Sequence, residues 1–147
     1  MDRQSLSTIS VIANPFHTIS LKAARAVIAA ALDSAEAAGW HISVAIVDRS
    51  GELVSMDRSD LAIGISTAVA QGKARTAALL RAPSKEFESF INSGSPSFLA
   101  TPGVTPLEGG IPLWLNGQVI GAVGVSGAHG ANDSKVAELA AEALANF

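Results

Sequence analysis

Apolar residues return along this chain with two different periods, which predict helices and strands. Between residues 18 and 39 they recur every three or four positions, as expected for an amphipathic helix that begins at Thr18 or Ser20 and ends before Gly39. Residues 41–46 alternate between apolar and smaller or polar side chains, which predicts a strand. A turn at residues 48–51 follows, and the return strand of this predicted hairpin carries Leu53, Val54 and Met56.

The strongest local pattern is the dipeptide Asn116-Gly117, which lies between the apolar runs 113–115 and 118–120. Asn-Gly favours a two-residue type I′ turn, because both central residues of that turn need a positive φ. The sequence therefore predicts a second hairpin, in which Leu115 faces Gln118, Trp114 faces Val119, and Leu113 faces Ile120.

Further helices are predicted at residues 63–80, 83–90 and 132–145, the last one capped by Asn132 or Asp133. Residues 8–12 form a short apolar run that is expected to be an edge strand, and residues 97–105 a loop or short strand. The order helix, hairpin, two helices, hairpin, helix predicts an α+β fold with a central antiparallel sheet flanked by helices. One domain is expected over residues 1–147, with residues 1–17 as an N-terminal extension.

Composition narrows the class of protein. The 147 residues include 48% hydrophobic and only 16% charged side chains, which favours an apolar surface buried in a homo-oligomer. A formal net charge of −3 and the lack of a basic cluster argue against nucleic acid as a partner. The absence of cysteine excludes disulfides and thiolate chemistry. With no apolar run of about 18 residues and no signal-peptide pattern, we expect a cytoplasmic protein with no membrane segment.

Two residues are candidates for acid–base chemistry. Glu108 precedes Gly109 and Gly110, whose backbone is open to a ligand. His129 lies just before the last predicted helix, where free N–H groups gather, and is a candidate catalyst, ligand or anion contact. Each has a plainer explanation as a solvated loop residue or a structural one.

The other histidines and two cations are candidates for binding. His17 lies in a loop ahead of the first long predicted helix, where it is either an exposed side chain or a ligand to a metal or haem iron. His41 begins a strand and is expected to be structural. Lys73 and Arg75 are two positions apart on a predicted helix, so they face different directions. They are either helix surface or partners for a carboxylate, such as a haem propionate or an organic acid.

Four segments occur in the order ISLKAARAVIAAAL, VAIVDRSGELVSMDR, AQGKARTAALL and LEGGIPLWLNGQVIGAVGVSG. Together they resemble the GlcG/HbpS family of haem-binding and haem-degrading-like proteins, which includes the C-terminal domain of a cobalamin adenosyltransferase. The resemblance implies a profilin-like fold, dimers that assemble into octamers, and haem as the ligand of some members. It also implies that His17 stands where a histidine ligand is expected, and that Lys73 and residues 105–110, including Thr105, line the pocket.

Two hypotheses follow for the function. The first is a cytoplasmic, oligomeric small-ligand-binding protein with haem as the leading ligand, its iron on His17 or His129, its propionates near Lys73 or Arg75, and its porphyrin against Trp114 or Phe16. The second is a cofactor-independent isomerase, hydratase or lyase that acts on a small organic acid. There Glu108 and His129 share the acid–base steps, while Lys73 and Arg75 bind the carboxylate.

Overall fold

A four-stranded antiparallel sheet lies at the centre of the fold, with its strands in the order β2-β1-β4-β3. The computed structural model describes residues 5–147, without the side chains of residues 6 and 7. The strands are β1 (Ser43–Asp48), β2 (Leu53–Arg58), β3 (Gly110–Leu115) and β4 (Gln118–Ser126). Both predicted hairpins are therefore confirmed, and they join through the central pair of β1 and β4.

Helices cover both faces of this sheet, which confirms the predicted α+β class. They are α1 (Leu6–Ile12), α2 (Leu21–Ala37), α3 (Ser66–Leu80), α4 (Lys85–Asn92) and α5 (Gly130–Ala141), with 3-10 turns at Pro96–Ala100 and Glu142–Asn146. Helices α2 and α5 pack on one face and α3 on the other. Within the described part of the chain, no helix has the length and apolar character needed to cross a membrane.

The two faces of the sheet differ in packing. The core under α2 and α5 contains large branched side chains, including Val27, Ile46 and Leu113. Helix α3 instead presents alanines to small residues of the sheet, and a Cβ at Gly124 would collide with the backbone carbonyl of Ala70. Helix α3 therefore lies very close to β4. Because both faces are covered, β1 is buried along almost its whole length, and its sequence alternation does not mark a solvent-facing side.

Residues 8–12 belong to helix α1, so the prediction of an edge strand there is wrong. The Oγ of Ser5 accepts a hydrogen bond from the backbone N of Thr8 at 3.2 Å and caps the helix. A run this short does not distinguish helix from strand by its period, and the cap decides the outcome.

The second hairpin contains an irregularity that changes its predicted register. Leu115 pairs with Gln118 and Trp114 with Val119, as predicted, but Leu113 pairs with Gly121 and not with Ile120. Ile120 is thus an extra residue on β4. Its carbonyl accepts hydrogen bonds from the backbone N of Ile19 at 2.9 Å and from Oγ1 of Thr18 at 3.2 Å. The bulge therefore anchors the segment that leads into α2.

The predicted caps of α2 are found in the structure, whereas the predicted cap of α5 is not. Ser20 caps α2, with its Oγ accepting from the backbone N of Ala23 at 3.1 Å, and Gly39 follows the helix with a φ of 76°. Helix α5 begins after His129, so the predicted cap at Asn132 or Asp133 is wrong. The side chain of Asp133 is engaged elsewhere, as described below.

Candidate functional site

The candidate residues lie at two opposite ends of the sheet. The hairpin end contains the turns that join β1 to β2 and β3 to β4, and the open end contains Gly110, Ser43 and Ser126. Ile120 near the first end and Val125 near the second are five positions apart on β4, which corresponds to about 17 Å. Residues at the two ends therefore cannot belong to one small-molecule site.

A buried ion pair lies at the open end. The Nζ of Lys73 donates hydrogen bonds to Oδ2 of Asp133 at 3.0 Å and to the carbonyl of Val125 at 2.9 Å. The Oδ1 of Asp133 accepts a hydrogen bond from the backbone N of Ala128 at 2.8 Å. Both charged side chains are almost fully buried, at 4% and 3% exposure. The pair thus links α3 to α5 around the end of β4 and fixes the loop that precedes His129.

Gly109 and Gly110 pack directly on this ion pair. A Cβ at Gly109 would lie 2.9 Å from Nζ of Lys73, and a Cβ at Gly110 would collide with the backbone carbonyl of Lys73. The Oγ of Ser84 accepts from the backbone N of Gly110 at 2.8 Å and donates to the carbonyl of Leu107 at 2.6 Å. The two glycines are therefore needed for close packing, which is a structural role beside the ligand-binding role predicted for them.

Glu108 lies next to the start of α5. Its Oε2 accepts a hydrogen bond from Oγ of Ser134 at 2.7 Å, and a Cβ at Gly130 would lie 3.3 Å from its Oε1. His129 is the residue before Gly130; its side chain is exposed and its φ is 72°, which is uncommon for a residue other than glycine. The structure thus brings Glu108 and the His129 backbone to the same corner of the open end.

His129 shares a small cavity with His41. The cavity has a volume of about 280 Å³ and is also lined by Trp40 and Asn132. A Cβ at Gly127 would collide with the carbonyl of His41, so the two segments approach closely there. Sequence analysis missed this pairing, because His41 and His129 are far apart in the chain and only the sheet register places them together.

An apolar groove lies at the hairpin end, on the face covered by α2 and α5. Its volume is about 730 Å³, and its lining includes Thr18, Trp114, Ile120, Leu144 and Phe147. It was not predicted from the sequence, because its walls come from the start of α2, the β3–β4 hairpin and the C-terminal turn. The only sign of it was the prediction that Trp114 belongs to a ligand site.

His17 immediately precedes a residue of this groove. Its side chain is exposed, and the next residue, Thr18, lines the groove. The Oγ1 of Thr18 accepts a hydrogen bond from the backbone N of Arg49 at 3.1 Å. The Cζ of Arg49 lies 3.8 Å from the ring centroid of Phe16. Both sequence neighbours of His17 are therefore in contact with Arg49.

The remaining predicted residues belong to α3 and its surroundings. Arg75 is partly exposed and forms a surface ion pair, with its NH1 3.8 Å from Oε1 of Glu52. The backbone N of Thr105 donates a hydrogen bond to Oγ1 of Thr76 at 2.8 Å, and a Cβ at Gly72 would collide with Oγ1 of Thr105. Because α3 covers the face opposite to the groove, Lys73 and Thr105 are separated from Trp114 by the sheet. Arg75 instead reaches the β1–β2 turn at the hairpin end, where a Cβ at Gly51 would lie 3.2 Å from its NH1.

Among residues 5–147, no group of three or more histidine, aspartate or glutamate side chains is arranged to hold a metal ion. His17, the predicted metal ligand, belongs to no such group among these residues.

This architecture is that of an α+β protein with an antiparallel sheet between two helical layers. The chain belongs to the HbpS-like family: the family model described as "Haem degrading protein HbpS-like" matches residues 19–142. Protein GlcG of Escherichia coli strain K12 is 44% identical over 108 residues, which cover 74% of this chain and 81% of GlcG.

Two solved structures have the same fold. A double mutant of Streptomyces reticuli HbpS superposes with a TM-score of 0.86 at 30% identity and covers 98% of this chain and 95% of its own. A structure described as a PduOC:heme complex superposes with a TM-score of 0.79 at 26% identity, over 86% of this chain and 94% of the other.

Proposed function

We propose that this protein binds haem in the apolar groove at the hairpin end of the sheet, where His17 would bind the iron. The observation that carries this proposal is an exposed histidine that immediately precedes Thr18, a residue that lines a large apolar groove. Membership of the HbpS-like family supports it, as does the fold shared with a protein solved as a haem complex.

The residues of the groove suit a porphyrin. Ligand pockets commonly have volumes of about 300–1,000 Å³ and mostly apolar walls with a few polar groups, and the groove's volume of about 730 Å³ lies within that range. Trp114 and Phe147 offer aromatic surface to the macrocycle. Thr18 and Asn116 offer polar atoms, and Glu142 is the one charged side chain among the described residues of the lining. When bound, haem would supply a redox-active iron. The contribution of the chain is to enclose the porphyrin and to present an imidazole.

The separation of the two ends favours His17 over His129 as the ligand. His129 lies at the open end, roughly 17 Å along β4 from the residues that line the groove. A haem in the groove cannot reach it within the same chain. The partly polar surroundings of His129 suit proton transfer better than they suit a porphyrin.

The surface supports an oligomer as well. Leu61, Ile63 and Ile65 lie close together in the sequence and are 72%, 65% and 64% exposed. Exposed apolar patches of this kind are typical of protein–protein contacts. We propose that a second copy of this chain covers them, as the resemblance to the family implies.

The test is a haem titration of the purified protein, followed in the Soret region with the absorbance of free haem subtracted. The proposal expects a saturable band with a defined stoichiometry. His17→Ala is expected to shift and weaken that band, whereas His41→Ala, which removes an exposed histidine at the open end, is the matched control. A wild-type titration without saturation would reject haem binding, and an unchanged band in His17→Ala would reject the assigned ligand.

A second function is favoured by a separate observation at the open end. The Glu108 carboxylate is held by Ser134 beside the residue that follows His129, and His129 lines a cavity suited to a small molecule. We propose as the alternative that Glu108 and His129 exchange protons with a small organic acid. The ammonium of Lys73 is already bound to Asp133, so the substrate carboxylate would be met by another group, for which His41 is positioned.

Proton exchange gives this alternative a direct assay. The protein is incubated in D2O with a panel of small 2-oxo and 2-hydroxy acids, and deuterium incorporation at carbon is followed by NMR. Glu108→Gln is expected to remove any incorporation that the wild type shows, and Glu86→Gln, an exposed glutamate on α4, should not. If the wild type gives no incorporation above buffer, or if Glu108→Gln retains it, the proposed role of Glu108 is wrong.

A further inference from the structure

We infer that Arg49 binds a carboxylate of the ligand in the apolar groove, so that this site selects a ligand with a large apolar body and an acidic edge. This inference rests on the proposed function, in which the ligand is haem and the carboxylate is a propionate. Arg49 belongs to the β1–β2 turn and had no functional role in the sequence prediction.

The position of Arg49 carries the inference. It follows Asp48, which pairs with Gly121 at the hairpin end of the sheet. Its backbone N donates to Oγ1 of Thr18 at 3.1 Å, and Thr18 lines the groove. The backbone of Arg49 is therefore bonded directly to a residue that lines the groove.

Phe16 holds the side chain of Arg49 in the same place. The guanidinium carbon lies 3.8 Å from the centre of the Phe16 ring, which is a close cation–π contact. The N–H groups of a guanidinium lie in its own plane, so an arginine stacked on a ring can still donate two parallel hydrogen bonds to a carboxylate. Arg49 thus contacts both sequence neighbours of His17.

The charge of Arg49 is also available. Within the part of the chain that the structure describes, the ion pairs are those of Lys73 with Asp133 and of Arg75 with Glu52. The neighbouring carboxylate of Asp48 accepts hydrogen bonds from the backbone N of Ser50 at 2.8 Å and of Glu52 at 3.1 Å, so it serves the turn.

The two cations of α3 suit this task less well. Both belong to the helix on the opposite face of the sheet, and Lys73 would have to leave a buried ion pair to meet a ligand. Arg75 reaches the β1–β2 turn, but there it packs against Gly51 and pairs with Glu52. We therefore assign to Arg49 the contact with a propionate that the sequence suggested for Lys73 or Arg75.

The experiment compares haem with haem dimethyl ester, in which both propionates are neutral. Affinities of the wild type, Arg49→Gln, Arg49→Lys and the control Arg58→Gln, which changes an exposed arginine at the open end, are measured by Soret titration. Circular dichroism checks that each variant is folded. The wild type should prefer haem to the ester by about tenfold or more, as expected for a charge-assisted hydrogen bond. Arg49→Gln should abolish that preference by weakening haem alone, and Arg49→Lys should restore part of it, because lysine keeps the charge without the planar fork. Arg58→Gln should behave as the wild type.

Other outcomes separate the inference from the function on which it rests. If Arg49→Gln keeps the preference for haem, the inference is wrong and haem binding stands. If Arg49→Gln weakens haem and ester equally, Arg49 only supports the segment around His17, and the inference is again wrong. If the wild type binds neither compound, the proposed function fails and Arg49 has no propionate to bind.

Discussion

Lys73 and Asp133 form a buried ion pair, with Nζ 3.0 Å from Oδ2, although α3 and α5 lie on opposite faces of the sheet. The pair passes the open end of β4, and Lys73 also donates to the carbonyl of Val125 there. It therefore joins the two helical layers. Among the described residues at this end, every buried side-chain polar atom has a hydrogen-bond partner. This geometry gives the ion pair a structural role that can be measured.

Removing one partner of the pair should destabilise the protein strongly. Lys73→Met leaves a buried carboxylate without its cation, which typically costs about 3–5 kcal/mol in the free energy of unfolding. The double variant Lys73→Met with Asp133→Leu should regain much of that loss, because neither charge then remains. Urea unfolding compares the wild type, Lys73→Met, the double variant and one control. Arg75→Met, which breaks an exposed pair, is the control and should cost less than about 1 kcal/mol. Equal losses of stability in Lys73→Met and Arg75→Met would contradict the role assigned to the buried pair.

Gly110 should be intolerant of a methyl group. A Cβ there would meet the backbone of Lys73 and, at 3.0 Å, Oγ of Ser84, so Gly110→Ala must displace backbone and should cost about 1–3 kcal/mol or more. Gly64→Ala is the matched control, because the same Cβ has no neighbour within 4 Å there. Thermal unfolding compares the two. A Gly110→Ala protein as stable as Gly64→Ala would show that α3 and β3 are not packed as described.

Trp114 should contribute to haem affinity through its surface in the groove. Trp114→Ala is expected to weaken haem binding about tenfold, as is typical for the loss of a large aromatic contact. Leu139→Ala is the control, since Leu139 is exposed to the same extent, 53%, and does not line the groove. The Soret titration measures both, and an effect of similar size in the two variants would argue against haem in this groove.

The open end should be independent of haem. His129→Ala and Glu108→Gln lie far from the groove and should leave the haem dissociation constant within about twofold of the wild type, because distant sites act additively. Any proton-exchange activity should show the reverse pattern and respond to Glu108→Gln but not to His17→Ala. A large loss of haem affinity in His129→Ala would instead place the haem at the open end.

The fold could be predicted wherever local chemistry determines the structure. Asn116-Gly117 specifies its own turn, and Ser20 and Gly39 specify the ends of α2. The bulge at Ile120 could not be predicted, because it depends on a carbonyl that bonds to Thr18, a residue about a hundred positions away. For the same reason the partner of Lys73 was missed: Asp133 resembles a helix cap in the sequence and is a buried counter-ion in the fold.

The candidate site shows the same limit. The sequence drew attention to Glu108, His129 and His17 by their residue types and their glycine neighbours. It did not indicate that the first two lie at one end of the sheet and the third at the other, since that follows from the strand order and the antiparallel register. Arg49 was not predicted to be a site residue, because its contacts with Phe16 and Thr18 are formed only in the folded chain.

The position of the iron is the most direct test of the central claim, which is that haem binds at the hairpin end of the sheet. An anomalous difference map, collected at the iron absorption edge from crystals of the haem-saturated protein, locates the metal without reference to any variant. We predict one strong iron peak per chain beside the imidazole of His17 and above the groove lined by Trp114. A peak beside His129 at the open end would contradict this account.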